Sequence, residues 1–258
     1  MTTAQTNIKF NDLIKTPEYK NTIAALPIIL GVTKNGKIKI DDLQKIPHLF
    51  IGGRAGTGKT MFLESVLKSL SKKLSARECK FIIFDTKNNE FHHWKSDRHL
   101  LGPIITDTNA LVENFDMILQ MIDERYKTFL AHDVRNIWEY KKCTNKTMPA
   151  IVILVDEFSD LMAINKKHTE QFIKKICSRA RATGIHIIAA TSICTPGVIT
   201  NTISAYFPTR IGFQTKTKRD AVKLLGEPGC ETLSPCGDAL YSEAGCIPVR
   251  IHTPYIQK

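Results

Sequence analysis

The segment Gly53-Arg-Ala-Gly-Thr-Gly-Lys-Thr60 constrains this 258-residue chain more than any other feature, because it fits G-x-x-x-x-G-K-[ST] in one specific setting. It follows the apolar run Leu49-Phe-Ile51 and opens a stretch of helical periodicity from Lys59 to about Lys73. A strand, a glycine-rich turn and a helix in that order make an anion cradle. The glycines let successive backbone N–H groups curl around a phosphate, and the helix N-terminus adds its partial positive charge. The lysine then reaches β- and γ-phosphate oxygens, and the hydroxyl beside it reaches Mg2+. Gly53, Arg54, Ala55, Gly56, Thr57, Gly58, Lys59, Thr60 and Met61 are therefore the candidate ATP-binding set, with Thr60 also a candidate ligand for Mg2+.

Further apolar runs at Phe81–Phe84, Ile151–Val155 and Ile185–Ala190 alternate with helices predicted from Asn109 to about His132 and from about Glu170 to Thr183. Continuous apolar strands separated by helices predict an α/β fold, a mainly parallel sheet with helices on both faces. In the longer helix Leu111, Phe115, Ile118, Ile122, Tyr126 and Phe129 recur at three- and four-residue steps, a buried stripe and not a chemical site. Residues 1–46 read as a small β-rich N-terminal arm, with a hairpin of Ile28–Val32 and Ile38–Ile40 around the turn signal Asn35-Gly36. Residues 47–258 read as the nucleotide-binding domain, ending in a short helix and paired strands near Gly237–Tyr241 and Ile247–Ile251.

A second motif belongs with the first. Ile151-Val-Ile-Leu-Val-Asp156-Glu157 is an apolar strand that delivers two carboxylates to the sheet edge beside the phosphate loop. There Asp156 can hold Mg2+ through water, and Glu157 can orient and deprotonate an attacking water. One strand between the two motifs and another after them give the inserted-strand arrangement of a RecA-like P-loop NTPase core. That order argues against a small-molecule kinase or a Ras-like GTPase.

Lys and Arg number 36 against 25 Asp and Glu, a net charge of +11 that suits nucleic acid or another anionic surface. The basic clusters at Lys166-Lys167, Lys174-Lys175 and Lys216–Arg219 are short and read as solvated faces. Seven cysteines without a C-x-x-C pair fit a reducing cytoplasm. The apolar stretches at 24–32 and 149–155 are too short for the roughly 20 residues of a membrane helix, and the polar start lacks a secretory pattern. His92-His93 reads as a solvated loop, Tyr126, Trp138 and Tyr140 as core or interface aromatics, and Cys194 as a small packing residue.

Several further motifs carry a resemblance. They are Ile46-Pro-His-Leu before the phosphate loop, Asp85-Thr-Lys87-Asn-Asn-Glu90, Glu124-Arg-Tyr-Lys, and Val134-Arg-Asn136 with Tyr140. Leu154-Val-Asp-Glu-Phe-Ser-Asp-Leu-Met162, Ala180-Arg-Ala-Thr-Gly-Ile-His186, Phe207-Pro-Thr-Arg-Ile211 and Gly237-Asp-Ala-Leu-Tyr241 complete the set. With them the chain, from about Ile8 to Ile251, resembles the motor domain of the FtsK/SpoIIIE family of DNA translocases. The resemblance implies a homohexameric ring that drives double-stranded DNA through its centre by hydrolysing ATP. It also implies that Arg181 acts in trans as an arginine finger. By itself, Arg181 reads as a cation at a helix C-terminus, where the dipole favours it.

The chain departs from the family pattern at three places. Thr191-Ser192 stands where the family has Thr-Gln, so Thr191 and Ser192 are the candidate γ-phosphate contacts with a shortened reach. Ala221 follows Asp220 where the family has Asp-Ser-Arg, and Thr86 replaces a proline. The pre-core arm has no room for the membrane helices of full-length family members, and the end of the chain none for their winged helix. Both a stand-alone motor and a fragment fit that observation. Two other functions are an ATPase that moves protein or protein–DNA complexes, and a nucleotide-binding subunit with weak turnover.

Overall fold

The structure is a computed structural model that describes residues 8–107, 110–243 and 246–257. Two short helices, α1 (Phe10–Leu13) and α2 (Pro17–Lys20), precede the hairpin of β1 (Pro27–Thr33) and β2 (Ile38–Asp42). The chain continues through β3 (His48–Gly52), α3 (Lys59–Lys73), β4 (Cys79–Phe84), α4 (Leu111–Ala131), α5 (Ile137–Thr144), β5 (Ala150–Val155), α6 (Phe158–Thr183) and β6 (Ile185–Thr191). It closes with α7 (Asn201–Tyr206), β7 (Thr209–Phe213), α8 (Lys218–Leu225), β8 (Asp238–Ser242) and β9 (Val249–His252).

These strands form one sheet in the order β2-β1-β9-β8-β7-β3-β6-β5-β4. The run β7-β3-β6-β5-β4 is parallel, as continuous apolar strands separated by helices predict. Side chains alternate across it. Phe81 and Ile83 of β4, with Val152 and Leu154 of β5, pack on the α3 side. Ile82, Phe84, Ile153 and Val155 pack on the side of α4 and α6. The predicted stripe on α4 holds: Phe115, Ile118, Ile122 and Phe129 are buried. Asn109, expected as its first residue, and the side chain of Leu111 lie outside the described residues.

The other half of the sheet is antiparallel. The Asn35-Gly36 turn forms, with Gly36 at φ +74°, and β1 then pairs with β9. The N-terminal hairpin thereby extends the same sheet as the parallel strands. Asp42 locks its base by accepting the N–H groups of Ala25 and Leu26, both at 2.9 Å, and the Tyr19 hydroxyl donates to the Ser69 carbonyl on α3 at 2.5 Å.

Helix α6 begins at Phe158, twelve residues before the predicted start at Glu170. Asn165 (φ −154°, ψ 87°) interrupts it, and its side chain accepts the His168 N–H at 3.1 Å. A second helix is thus capped inside the first, and the polar run around Asn165 obscures the helical period there. Helices α5 and α7, absent from the sequence reading, are short and side-chain capped by Asn136 and Thr200. His92 and His93 are exposed as expected. Trp94 beside them is buried, and its indole N–H donates to Glu64 Oε2 at 2.7 Å.

Two buried histidines couple the fold to pH. His48 Nδ1 accepts the Ile187 N–H at 3.2 Å, and His186 Nδ1 lies 3.2 Å from the Pro47 carbonyl. Burial pushes His48 from 6.5 down to about 3 and His186 from 6.5 down to about 4. Both rings are neutral in the fold, whereas the unfolded chain protonates them near pH 6.5. Their contribution is therefore complete above pH 6.5 and is lost as pH falls below it, at most about 1.4 kcal/mol per ring for each pH unit. Urea unfolding at pH 7 and pH 5 should give a lower midpoint at pH 5; an equal or higher midpoint would contradict this account.

Candidate nucleotide site

The phosphate loop spans Gly53 to Gly58, between β3 and α3, and its backbone demands glycine at both ends. Gly53 has φ +153° and Gly58 φ +112°. A Cβ on Gly53 would sit 2.6 Å from the Phe213 Cβ, and one on Gly58 3.1 Å from the Gly237 nitrogen. The loop is pinned on both sides. Gly53 N–H donates to the Thr191 carbonyl at 3.3 Å, Arg54 N–H to the Gln214 carbonyl at 2.8 Å, and Gly237 N–H to the Thr57 carbonyl at 3.0 Å. Arg54, Ala55 and Gly56 are exposed at the mouth, while Thr57 is buried. The Thr57 hydroxyl closes the turn by donating to the Arg54 carbonyl at 2.8 Å. Met61 turns its side chain to the cluster of Phe10, Leu13 and Tyr19, leaving its backbone to the cradle.

Lys59 is buried and folded back on the loop, donating to the carbonyls of Gly53 at 2.7 Å and Arg54 at 3.0 Å. Burial holds its ammonium below the usual lysine range, against the opposing pull of Glu157. A phosphate in the cradle would add to the negative charge that Glu157 and Asp156 already place near Lys59. Charge-assisted bonds of this kind contribute about 1.5–3 kcal/mol, so Lys59→Ala should weaken ATP about 10- to 100-fold in a fluorescent-nucleotide titration.

Asp156 and Thr60, the expected Mg2+ ligands, come together: the Thr60 hydroxyl donates to Asp156 Oδ1 at 3.3 Å. Burial, with the neighbouring charges of Asp85 and Glu90, pushes the Asp156 carboxyl up to about 6. A carboxylate so disfavoured as an anion is suited to a cation. Among the described residues no group of three or more His, Cys, Asp or Glu could hold a metal unaided. One hydroxyl and one carboxylate fit Mg2+, which keeps several waters and takes its other oxygens from phosphates.

Glu157 is held as an anion. Its Oε1 accepts the Ser159 hydroxyl at 2.8 Å, the Thr191 hydroxyl at 2.9 Å and the Ser192 N–H at 2.9 Å. Its Oε2 lies 3.5 Å from Lys87 Nζ. Burial, the largest single influence, raises the Glu157 pKa, but the bonds from Ser192, Ser159 and Thr191 together outweigh it and leave the carboxyl below its usual range. Thr191 and Ser192, expected to contact the γ-phosphate, instead hold the Glu157 carboxylate in this structure. The sequence reading gave no role to Lys87 or Ser159. The signal was present, since Lys87 lies two residues after Asp85 at the end of β4 and Ser159 two residues after Glu157.

Arg181 does not join this site within its own chain. It is exposed on the last turn of α6, where its charge is felt by His48 and His186. His48 opens β3, and the phosphate loop leaves the other end of that strand, about 13 Å away at 3.3 Å per residue. Arg179 is engaged with Asp123 at 2.5 Å and lies over the Tyr126 ring.

The sequence profile of the FtsK/SpoIIIE family matches residues 10–204. Proteins named DNA translocase FtsK are similar along nearly the whole chain. That of Caulobacter vibrioides is 34% identical, covering 96% of this chain and 34% of the relative. That of Pseudomonas aeruginosa is 32% identical, again covering 96% and 34%. The chain therefore spans about a third of the length of these curated relatives. Among solved structures, the cytoplasmic domain of the Thermomonospora curvata type VII secretion ATPase EccC superposes with a TM-score of 0.86 at 21% identity, over 97% of this chain and 32% of that one. The pCW3 conjugation coupling protein TcpA superposes at 0.81 and 22% identity, over 93% and 68%. These two likenesses show a shared fold, and the sequence matches show the lineage. The chain belongs to the FtsK/SpoIIIE family.

Proposed function

We propose that this chain is the ATP-hydrolysing motor of a double-stranded DNA translocase, working in the cytoplasm as a homohexameric ring. The observation that carries the reading is the convergence of Lys59, Thr60, Asp156 and Glu157 at one sheet edge, in a chain a third identical to proteins named as DNA translocases.

The cradle from Gly53 to Met61 binds the phosphates, and Lys59 exchanges its loop carbonyls for β- and γ-oxygens. Thr60 and Asp156 would hold Mg2+, which would supply charge neutralisation to the phosphates. Glu157, kept ionised by Ser159, Thr191 and Ser192, orients a water and takes its proton. Arg181, too far from its own phosphate loop, completes the site of a neighbouring copy. A surplus of +11 per chain supports backbone contact with DNA, which reads charge and not sequence.

The test is steady-state ATPase activity with and without long duplex DNA at two salt concentrations. Stimulation by duplex that weakens steeply with salt, by roughly 0.9 in log–log slope per phosphate contact, supports the reading. Turnover indifferent to DNA overturns it in favour of a motor for protein cargo, and ATP binding with negligible turnover favours a nucleotide-binding subunit.

A further inference from the structure

Asp85 follows β4 as Asp156 follows β5, and these parallel strands pair with Phe84 opposite Val155. Phe84 and Val155 face α4 and α6, so by strand alternation the next residue of each turns to the α3 face. Asp156 does so, meeting Thr60 of α3. Just past the end of β4, Asp85 N–H donates to the Ile105 carbonyl at 3.0 Å, beside an isolated bridge between Phe84 and Ile105.

Asp85 is 1% exposed, and its two oxygens differ. Oδ2 accepts the N–H groups of Glu90 at 3.0 Å and Phe91 at 3.1 Å, which anchors the loop after β4. Oδ1 is buried with no hydrogen-bond partner. Loop anchoring explains one oxygen and leaves the other bare, a costly state for a buried carboxylate unless a donor arrives. The cation of the same loop, Lys87, is turned to Glu157. Asp156 N–H donates to the Phe84 carbonyl at 3.1 Å, so the two acids leave neighbouring strand ends, on backbones about 5 Å apart.

We propose that Asp85 is an outer acid of the magnesium site: its free Oδ1 accepts a hydrogen bond from a water bound to the Mg2+ that Thr60 and Asp156 hold. The inference rests on the reading of Thr60 and Asp156 as metal ligands. Mg2+ retains several waters, each a strong donor in need of an acceptor. Acceptors of this outer kind change metal affinity by 10- to 100-fold when removed.

Asp85→Asn keeps an oxygen for the Glu90 and Phe91 N–H groups and places an amide donor where the bare oxygen stood. Mn2+ binding, followed by the electron paramagnetic resonance signal of the free ion in the presence of ADP, is compared among the native chain, Asp85→Asn and Thr60→Ala. ADP affinity in EDTA serves as the fold control. The expected result is a 10- to 100-fold weaker Mn2+ constant in Asp85→Asn, with metal-free ADP affinity within twofold of native. Native Mn2+ affinity in Asp85→Asn beside weakened affinity in Thr60→Ala would overturn the inference and leave the metal reading standing. Native affinity in both would overturn the two together. If Asp85→Asn fails to fold, Asp85→Ser, which retains a short acceptor for the loop, is judged by the same two constants. Loss of metal-free ADP binding in both variants would reduce Asp85 to a loop anchor and overturn the proposal.

Discussion

Glu157→Gln should bind ATP with native affinity and hydrolyse it roughly 10²- to 10⁴-fold more slowly, the range for loss of a positioned general base. Glutamine is nearly the same size and keeps an oxygen for Ser159, Thr191 and Ser192, so the three bonds to Oε1 persist. What it lacks is the negative charge that pairs with Lys87 and the basicity that accepts a proton from water. Lys59 and the cradle are untouched, so binding and turnover separate. Single-turnover hydrolysis of labelled ATP beside an equilibrium titration measures both. Hydrolysis within fivefold of native would remove Glu157 from the role of base.

Arg181→Ala should reduce turnover by roughly 10³- to 10⁵-fold, the contribution of an arginine finger in other NTPases. Its thermal midpoint should stay close to native, because Arg181 is exposed, while α6 is tied to α4 by the Arg179–Asp123 ion pair and by Arg125 and Tyr126. The separation of Arg181 from its own phosphate loop makes a stronger prediction. Arg181→Ala subunits retain Glu157, and Glu157→Gln subunits retain Arg181, so mixing two nearly inactive proteins creates interfaces with a complete site. ATPase activity should rise on mixing and peak at intermediate ratios. Absence of recovery at every ratio would assign Arg181 to the helix terminus alone.

The parts of the site written locally were legible from residue order. A strand, a glycine-rich turn and a helix fix Gly53 to Thr60, and an apolar run ending in acids fixes Asp156 and Glu157 at the same edge. Their meeting follows from parallel pairing, which continuous apolar strands encode. Contacts across the sheet edge were not legible. The grip of Thr191 and Ser192 on Glu157 spans more than thirty residues and depends on β5 and β6 being neighbours. The attachment of the N-terminal hairpin to β9 joins the two ends of the chain, a pairing that no local period announces. Helix α6 was half legible because Asn165 ends one helical segment and caps the next with the same side chain.

The most direct test of directed movement is displacement of a third strand from duplex DNA. A triplex placed at the far end of a long linear duplex is released only by a motor that travels to it. The account predicts ATP-dependent release by the native chain, slower for longer duplexes, and none by Glu157→Gln. Native ATPase activity stimulated by duplex DNA without any release of the third strand would contradict it.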